Sequence, residues 1–218
     1  SGSAEHTDLF RGWKVLGAGV SSGNDIPNHL VPYKSDSGIK LIKIKEHLIS
    51  QNTLNPDEKA FKETKAAAER GDASSFANLA MMFKYGEGTP RNHRLAVYWM
   101  TKAATTGKNS GAQTILGRWY LNGEGVLQDY AQAMKWFRLA ASQGDILAMV
   151  PLGLMYGRGQ GEHDLVKAHM WLNIGASMGL NSAKKWLPKV TSMLKPPAIN
   201  LAQKMARRCM ASGYKNCE

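Results

Sequence analysis

Three stretches of this chain are imperfect copies of one another, spaced about 36 residues apart. Gly86-Glu87-Gly88 recurs as Gly123-Glu124-Gly125 and, with one change, as Gly159-Gln160-Gly161. Trp99, Trp136 and Trp171 recur in step, as do Ala103-Ala104, Ala140-Ala141 and Gly175-Ala176. A period of this length means a stack of like supersecondary units, because one such unit cannot bury its apolar face alone. Stacked helix pairs present an extended surface, and arrays of this kind generally bind other molecules rather than transform them.

The copies align on Leu79, Leu116 and Leu152. Four residues earlier stand Ser75, Ala112 and Ala148; four later stand Phe83, Tyr120 and Tyr156. Spacing of four places these side chains on one helical face. The small residue lets a neighbouring helix approach, and the ring fills the space between paired helices. This first helix, helix A, should end at the glycine doublet, where the chain needs positive φ to reverse. Asn92, Asp129 and Asp164 follow, each placed to accept a bond from a first-turn N–H of a second helix, helix B. Helix B carries the recurring tryptophan, and its regularity points to core packing. Trp119 shares its position with Met82 and Met155 and reads as core as well. Asp72 and Asp145 come just after the glycine that closes a helix B and should cap the next helix A.

Asn55-Pro56 is a strong helix start, with proline at the first helical position. Residues 57–70 match a lone helix B and would cover the first repeat as a terminal cap. Asn181–Met193 matches a helix A in which Pro188 should introduce a kink. After Pro196-Pro197, Ala198–Met210 is amphipathic and should close the stack. The expected domain therefore spans residues 55–218: a capping helix at 57–70, repeats at 72–107, 108–144 and 145–179, then a partial repeat and capping helix over 180–218. Residues 1–54 stand outside the repeat as an irregular segment whose first three residues look like a tag remnant. Within it, Ile39–Ser50 favours a helix, with a short strand as the alternative.

The middle copy reads Ala112-x3-Leu116-Gly117-x2-Tyr120-x2-Gly123-x-Gly125-Val126-x2-Asp129-x3-Ala133-x2-Trp136-x3-Ala140-Ala141-x2-Gly144. It resembles the Sel-1-like repeat, a relative of the tetratricopeptide repeat. The first copy departs with Ala80 and Thr89, and the third lacks one residue between Gly161 and Asp164. The resemblance implies an all-α fold, a right-handed α-α superhelical solenoid of helix-turn-helix repeats. It also implies a non-enzymatic adaptor, often in a bacterial envelope. By analogy with tetratricopeptide stacks, the A helices line a concave side. Its exposed positions would be Ala77, Met81, Lys84 and Tyr85 in the first copy, and Thr114, Arg118, Leu121 and Asn122 in the second. Val150, Leu154, Gly157 and Arg158 are the third set, with Lys185 and Lys189 from the partial fourth copy. Lys84, Arg118, Arg158, Lys185 and Lys189 would form a positive stripe over an apolar floor, suited to an acidic peptide, helix or loop of a partner protein.

A net charge of +11 and a pI near 9.7 favour anionic partners. The basic residues look scattered, with small groups at Lys40-Lys43-Lys45 and Arg207-Arg208, and lack the interleaved aromatics of a nucleic-acid surface. Cys209 and Cys217 are the only cysteines. They read either as free thiols or as a disulfide pinning the tail to the last helix. The intervening Ser212-Gly213 turn favours the disulfide, and with it an oxidising, periplasmic compartment reached after removal of a signal peptide. No run of apolar residues is long enough for a membrane-spanning helix.

No metal site or cofactor is implied. The six histidines lack H-E-x-x-H spacing. Gly19-Val20-Ser21-Ser22-Gly23 spells the nucleophile-elbow pattern, but nothing around it suggests the required strand–turn–helix, and it reads as a loop. The leading expectation is an extracytoplasmic adaptor that binds a protein through its repeats. It could be an inhibitor or immunity protein for a secreted antibacterial toxin enzyme, or an envelope assembly factor. A cell-wall or anionic-surface binding module is the alternative. The cysteine-rich penicillin-binding relatives carry a cysteine pair in every repeat, which this chain does not.

Overall fold

The computed structural model describes residues 55–106, 108–215 and 217. The readings made for residues 1–54, including the loop at Gly19–Gly23 and the helix over 39–50, lie outside the described residues. Among the described residues there are nine helices and no strand: α1 (Pro56–Glu69), α2 (Ala73–Tyr85), α3 (His93–Thr105), α4 (Ser110–Asn122), α5 (Tyr130–Ser142), α6 (Ile146–Arg158), α7 (Leu165–Ser177), α8 (Asn181–Thr191) and α9 (Pro196–Ala211). The fold is an all-α helical repeat solenoid. The pairs α2/α3, α4/α5 and α6/α7 are the three copies of helix A and helix B. Each helix from α1 to α7 packs on the next, and α9 folds back onto α7.

The helix ends follow from local chemistry. Asp72, Asn92, Asp129, Asp145 and Asp164 each accept a hydrogen bond from a first-turn N–H of α2, α3, α5, α6 and α7 respectively. Asn109, which the repeat alignment did not single out, caps α4 through the Ala112 N–H. Helices α2, α4 and α6 all stop at the first glycine of a doublet, in the left-handed conformation.

The second glycine of each doublet has another role. A Cβ added to Gly88 would lie 2.1 Å from the Asp57 carbonyl oxygen, one on Gly125 3.0 Å from His93 Cβ, and one on Gly161 2.7 Å from Met134 Sδ. These neighbours all belong to the N-terminal part of the preceding helix B: α1, α3 and α5. The doublet therefore stops its own helix and seats the turn on the previous repeat. Gly88 makes with α1 the contact that Gly125 makes with α3, so α1 stands where a helix B would stand.

The aligned leucines and recurring tryptophans are buried, as is Trp119. Gly117 and Gly153 leave room on the A helices for Phe137 of α5 and Leu172 of α7. One buried cluster draws on α1–α4 with Trp136; the other draws on α5–α9 and the tail. Tyr120 packs against both and joins them. Pro188 lies inside α8 and removes one backbone donor, yet the helix runs on to Thr191. Pro151 is accommodated inside α6 in the same way. At the end of the chain, Gly213 and Tyr214 adopt φ of 61° and 66° and turn it back. That turn brings Cys217 beside Cys209, with Cα atoms 4.5 Å apart and both side chains buried, a pair able to form a disulfide.

Candidate partner-binding groove

Arg118 stands on α4, Arg158 on α6, and Lys185 and Lys189 on α8; all four are exposed. Tyr85 is half exposed at the end of α2, and Asn122 is exposed at the end of α4. Met81, Leu121 and Leu154 are half-buried and pack against the core, while Ala77 and Gly157 are half-buried as well.

Three of the residues expected to be exposed in the groove are buried or already partnered. Thr114 is 6% exposed, and its hydroxyl donates to Asp145 Oδ2 at 2.8 Å. It links the second repeat to the cap of α6 instead of facing a ligand, because the next helix A packs over it. Val150 is buried too. Lys84 keeps only 14% side-chain exposure. Its ammonium pairs with Glu124 of the next repeat's doublet and lies 4.5 Å from the centre of the Trp119 ring. Asn122 Nδ2 completes the clasp, donating to Glu124 Oε1 at 2.8 Å. The Asn122 and Lys84 hydrogen bonds hold the Glu124 carboxyl below its ordinary range, with the Lys84 and Arg118 charges adding to the effect. Lys84 is thus a neutralised inter-repeat staple and not a free charge of the stripe.

A second clasp joins the next two repeats. Arg138 of α5 donates from Nε and Nη2 to the buried Tyr156 hydroxyl at 3.0 and 2.7 Å and pairs with Glu162. Lys167 of α7 meets the same carboxylate at 3.0 Å. The Lys167 hydrogen bond, with help from Arg138, holds Glu162 below the usual carboxylate range.

The C-terminal part of the groove differs. Arg158 and Lys189 both lie over Trp186 of α8, at 5.3 and 4.4 Å from its ring centre. Neither takes part in an ion pair among the described residues. Trp186 escaped the repeat reading because the other copies have Asn78, Ile115 and Pro151 at its position. The signal that points to it is the absence of acidic residues around it.

No group of three or more His, Cys, Asp and Glu among the described residues could hold a metal ion. His169 is buried on α7, with Nδ1 unpartnered, and burial pushes its pKa down. A cavity of about 290 Å³ beside α5, α7 and the tail is lined by Arg138, Trp171, Tyr214 and Lys215 among others, with no carboxylate or histidine. No described helix is long and apolar enough to cross a membrane.

The Sel1 repeat family profile matches residues 77–107, 110–145 and 146–180. A solved Sel1 repeat protein from Oxalobacter formigenes is 32% identical, with a TM-score of 0.54; the match covers 60% of this chain and 98% of that one. The chain belongs to the Sel1 repeat family. Its repeats also match c5321, a protective antigen of uropathogenic Escherichia coli with an SLR fold, at 31% identity and a TM-score of 0.64. That match covers 73% of this Sel1 repeat chain and only 35% of c5321, so the chain spans about a third of that protein's length. A comparison with curated proteins finds no match. Sel1 repeat proteins generally act as protein–protein interaction scaffolds and are typically non-enzymatic.

Proposed function

We propose that this chain is a non-enzymatic binding module that holds an acidic partner protein along the A-helix side of its repeats. The observation that carries this reading is the succession of exposed cations, Arg118, Arg158 and Lys189, on α4, α6 and α8. None of the three sits in an ion pair among the described residues, whereas Lys84, Arg138 and Lys167 do. Charges left unpaired on successive helices steer an oppositely charged partner and set its register. The half-buried Met81, Leu121 and Leu154 supply apolar area that a docked partner would desolvate.

The buried Cys209–Cys217 pair supports an oxidised tail and hence a periplasmic or otherwise extracytoplasmic site of action. In that setting the binding role takes the form of an inhibitor that covers an enzyme's active site, as an immunity protein does to a secreted toxin. An envelope assembly factor would use the same surface with a different consequence.

The test is stoichiometric co-purification from the native host's envelope fraction, with wild type beside Arg118→Glu/Arg158→Glu. A partner retained at equal stoichiometry by the wild type and lost by the variant supports the reading. Recovery of no stoichiometric protein, or equal recovery by both forms, rejects it.

A further inference from the structure

Between Leu165 and Cys217 the chain holds no Asp or Glu and nine Lys or Arg. Upstream, the carboxylates Glu124, Glu162 and Asp164 pair with Lys84, Arg138 and Lys167. Among the described residues no carboxylate pairs with a cation of α8 or α9. Lys184, Lys185, Lys189, Lys204, Arg207 and Arg208 are exposed and enter no ion pair among the described residues. The positive charge therefore concentrates at the C-terminal end of the repeat unit.

Within that region one place has a fixed geometry. Arg158 reaches from α6 and Lys189 from α8 to the same Trp186 ring. Cations resting on an aromatic ring are held electrostatically and by contact of their aliphatic stems. Their side-chain entropy is partly lost already, so a ligand would bind at a lower ordering cost than on free lysines. Sharing one ring keeps the two charges within about a Debye length, about 10 Å at 0.1 M salt. Trp186 is itself half-buried, and Leu154 and Leu187 pack against the same core cluster.

We infer that Arg158, Lys189 and Trp186 form the anchor for an acidic segment of a partner protein. A Glu or Asp carboxylate sits at the two cations, and a neighbouring apolar side chain of the segment covers the exposed part of Trp186. This rests on the reading that the repeats bind an acidic protein, and it adds where that protein is held. Nucleic acid fits less well, because the two cations occupy the ring surface on which a base would stack. An anionic membrane would draw on all the cations of α8 and α9 alike; a carboxylate draws on the two that are fixed.

The experiment uses the full chain and a fluorescent peptide, Leu-Glu-Glu-Leu-Glu-Glu-Leu, followed by anisotropy. Oligodeoxythymidylate and phosphatidylglycerol vesicles serve as competing probes. Arg158→Gln/Lys189→Gln should weaken peptide binding at least about tenfold, and Trp186→Ala comparably. Lys184→Gln/Lys204→Gln removes the same charge elsewhere and should change it less than about twofold. All the substituted side chains are exposed or half-buried, and circular dichroism checks that each variant is folded. Equal losses in the two double variants would show that net charge alone is read, and would overturn the anchor. So would tighter binding of the oligonucleotide or vesicles than of the peptide. If a stoichiometric partner co-purifies but no acidic peptide binds, the anchor fails and the scaffold reading stands. If neither binds, both fail.

Discussion

At the scale of single residues, the glycine doublet shows how one hydrogen in place of a methyl decides a contact between repeats. Gly88 has φ of 64°, and a Cβ there would overlap the Asp57 carbonyl group at 2.1 Å. Gly179 has φ of 91° and nothing within 4 Å of the same added atom. Both lie in the left-handed region, where an L side chain costs about 1–2 kcal/mol. Only Gly88 adds a backbone overlap that α1 must move to relieve, and such overpacking costs a further 1–3 kcal/mol or so. Gly88→Ala should therefore lose about 3 kcal/mol in urea unfolding, and Gly179→Ala about 1 kcal/mol. Equal losses would mean that the turn is not seated on α1. Lys84 teaches the complementary lesson. Its place on helix A, five residues after the aligned Leu79, was legible from the repeat, but its employment was not. Glu124 lies 40 positions away and becomes a neighbour only when two repeats stack. Thr114 is the same case, with its partner Asp145 in the next repeat.

At the scale of helices, the boundaries were legible because a cap is a bond across two or three residues. Asp72, Asn92, Asp129, Asp145 and Asp164 all cap as their positions imply. Asn109 was missed for a local reason. In the other two helix A starts a glycine immediately precedes the cap, Gly71 before Asp72 and Gly144 before Asp145, with φ of 92° and 82°. Before Asn109 that place is taken by Lys108, which adopts φ of 46° without the freedom of glycine. The start of α4 thus holds backbone strain that its counterparts avoid. Lys108→Gly should relieve it and raise stability by about 0.5–1 kcal/mol, read as a higher urea midpoint at unchanged slope. The gain is partly offset by the greater backbone entropy of glycine in the unfolded chain. A loss of stability would show that Lys108 is relaxed where it stands.

At the scale of the whole repeat unit, stability is close to a sum of terms between neighbours, because each helix up to α8 packs mainly on those before and after it. The acid-free run from Leu165 to Cys217 stands in the sequence, but the contrast with the upstream repeats does not, since a list of lysines does not say which ones stacking will neutralise. The closing of the stack was more legible, from two cysteines flanking a turn. Helix α9 folds back on α7, and Cys217 returns to Cys209 across a separation of 8 residues. Once oxidised, so short a loop stabilises by about 2–3 kcal/mol in the chain-entropy model, by restricting the unfolded tail. In a globule unfolding as one unit, losing that contribution would raise hydrogen exchange everywhere equally. In a linear array it should act where the loop is. Cys217→Ser should therefore speed exchange in α8, α9 and the adjoining face of α7 by about 30- to 150-fold, while α2–α5 change little. Reductant should reproduce this pattern in the wild type and add nothing to the variant. A uniform rise along the chain would show a single cooperative unit instead of a row of coupled repeats. An unchanged wild type under reductant would show that the two thiols are not joined.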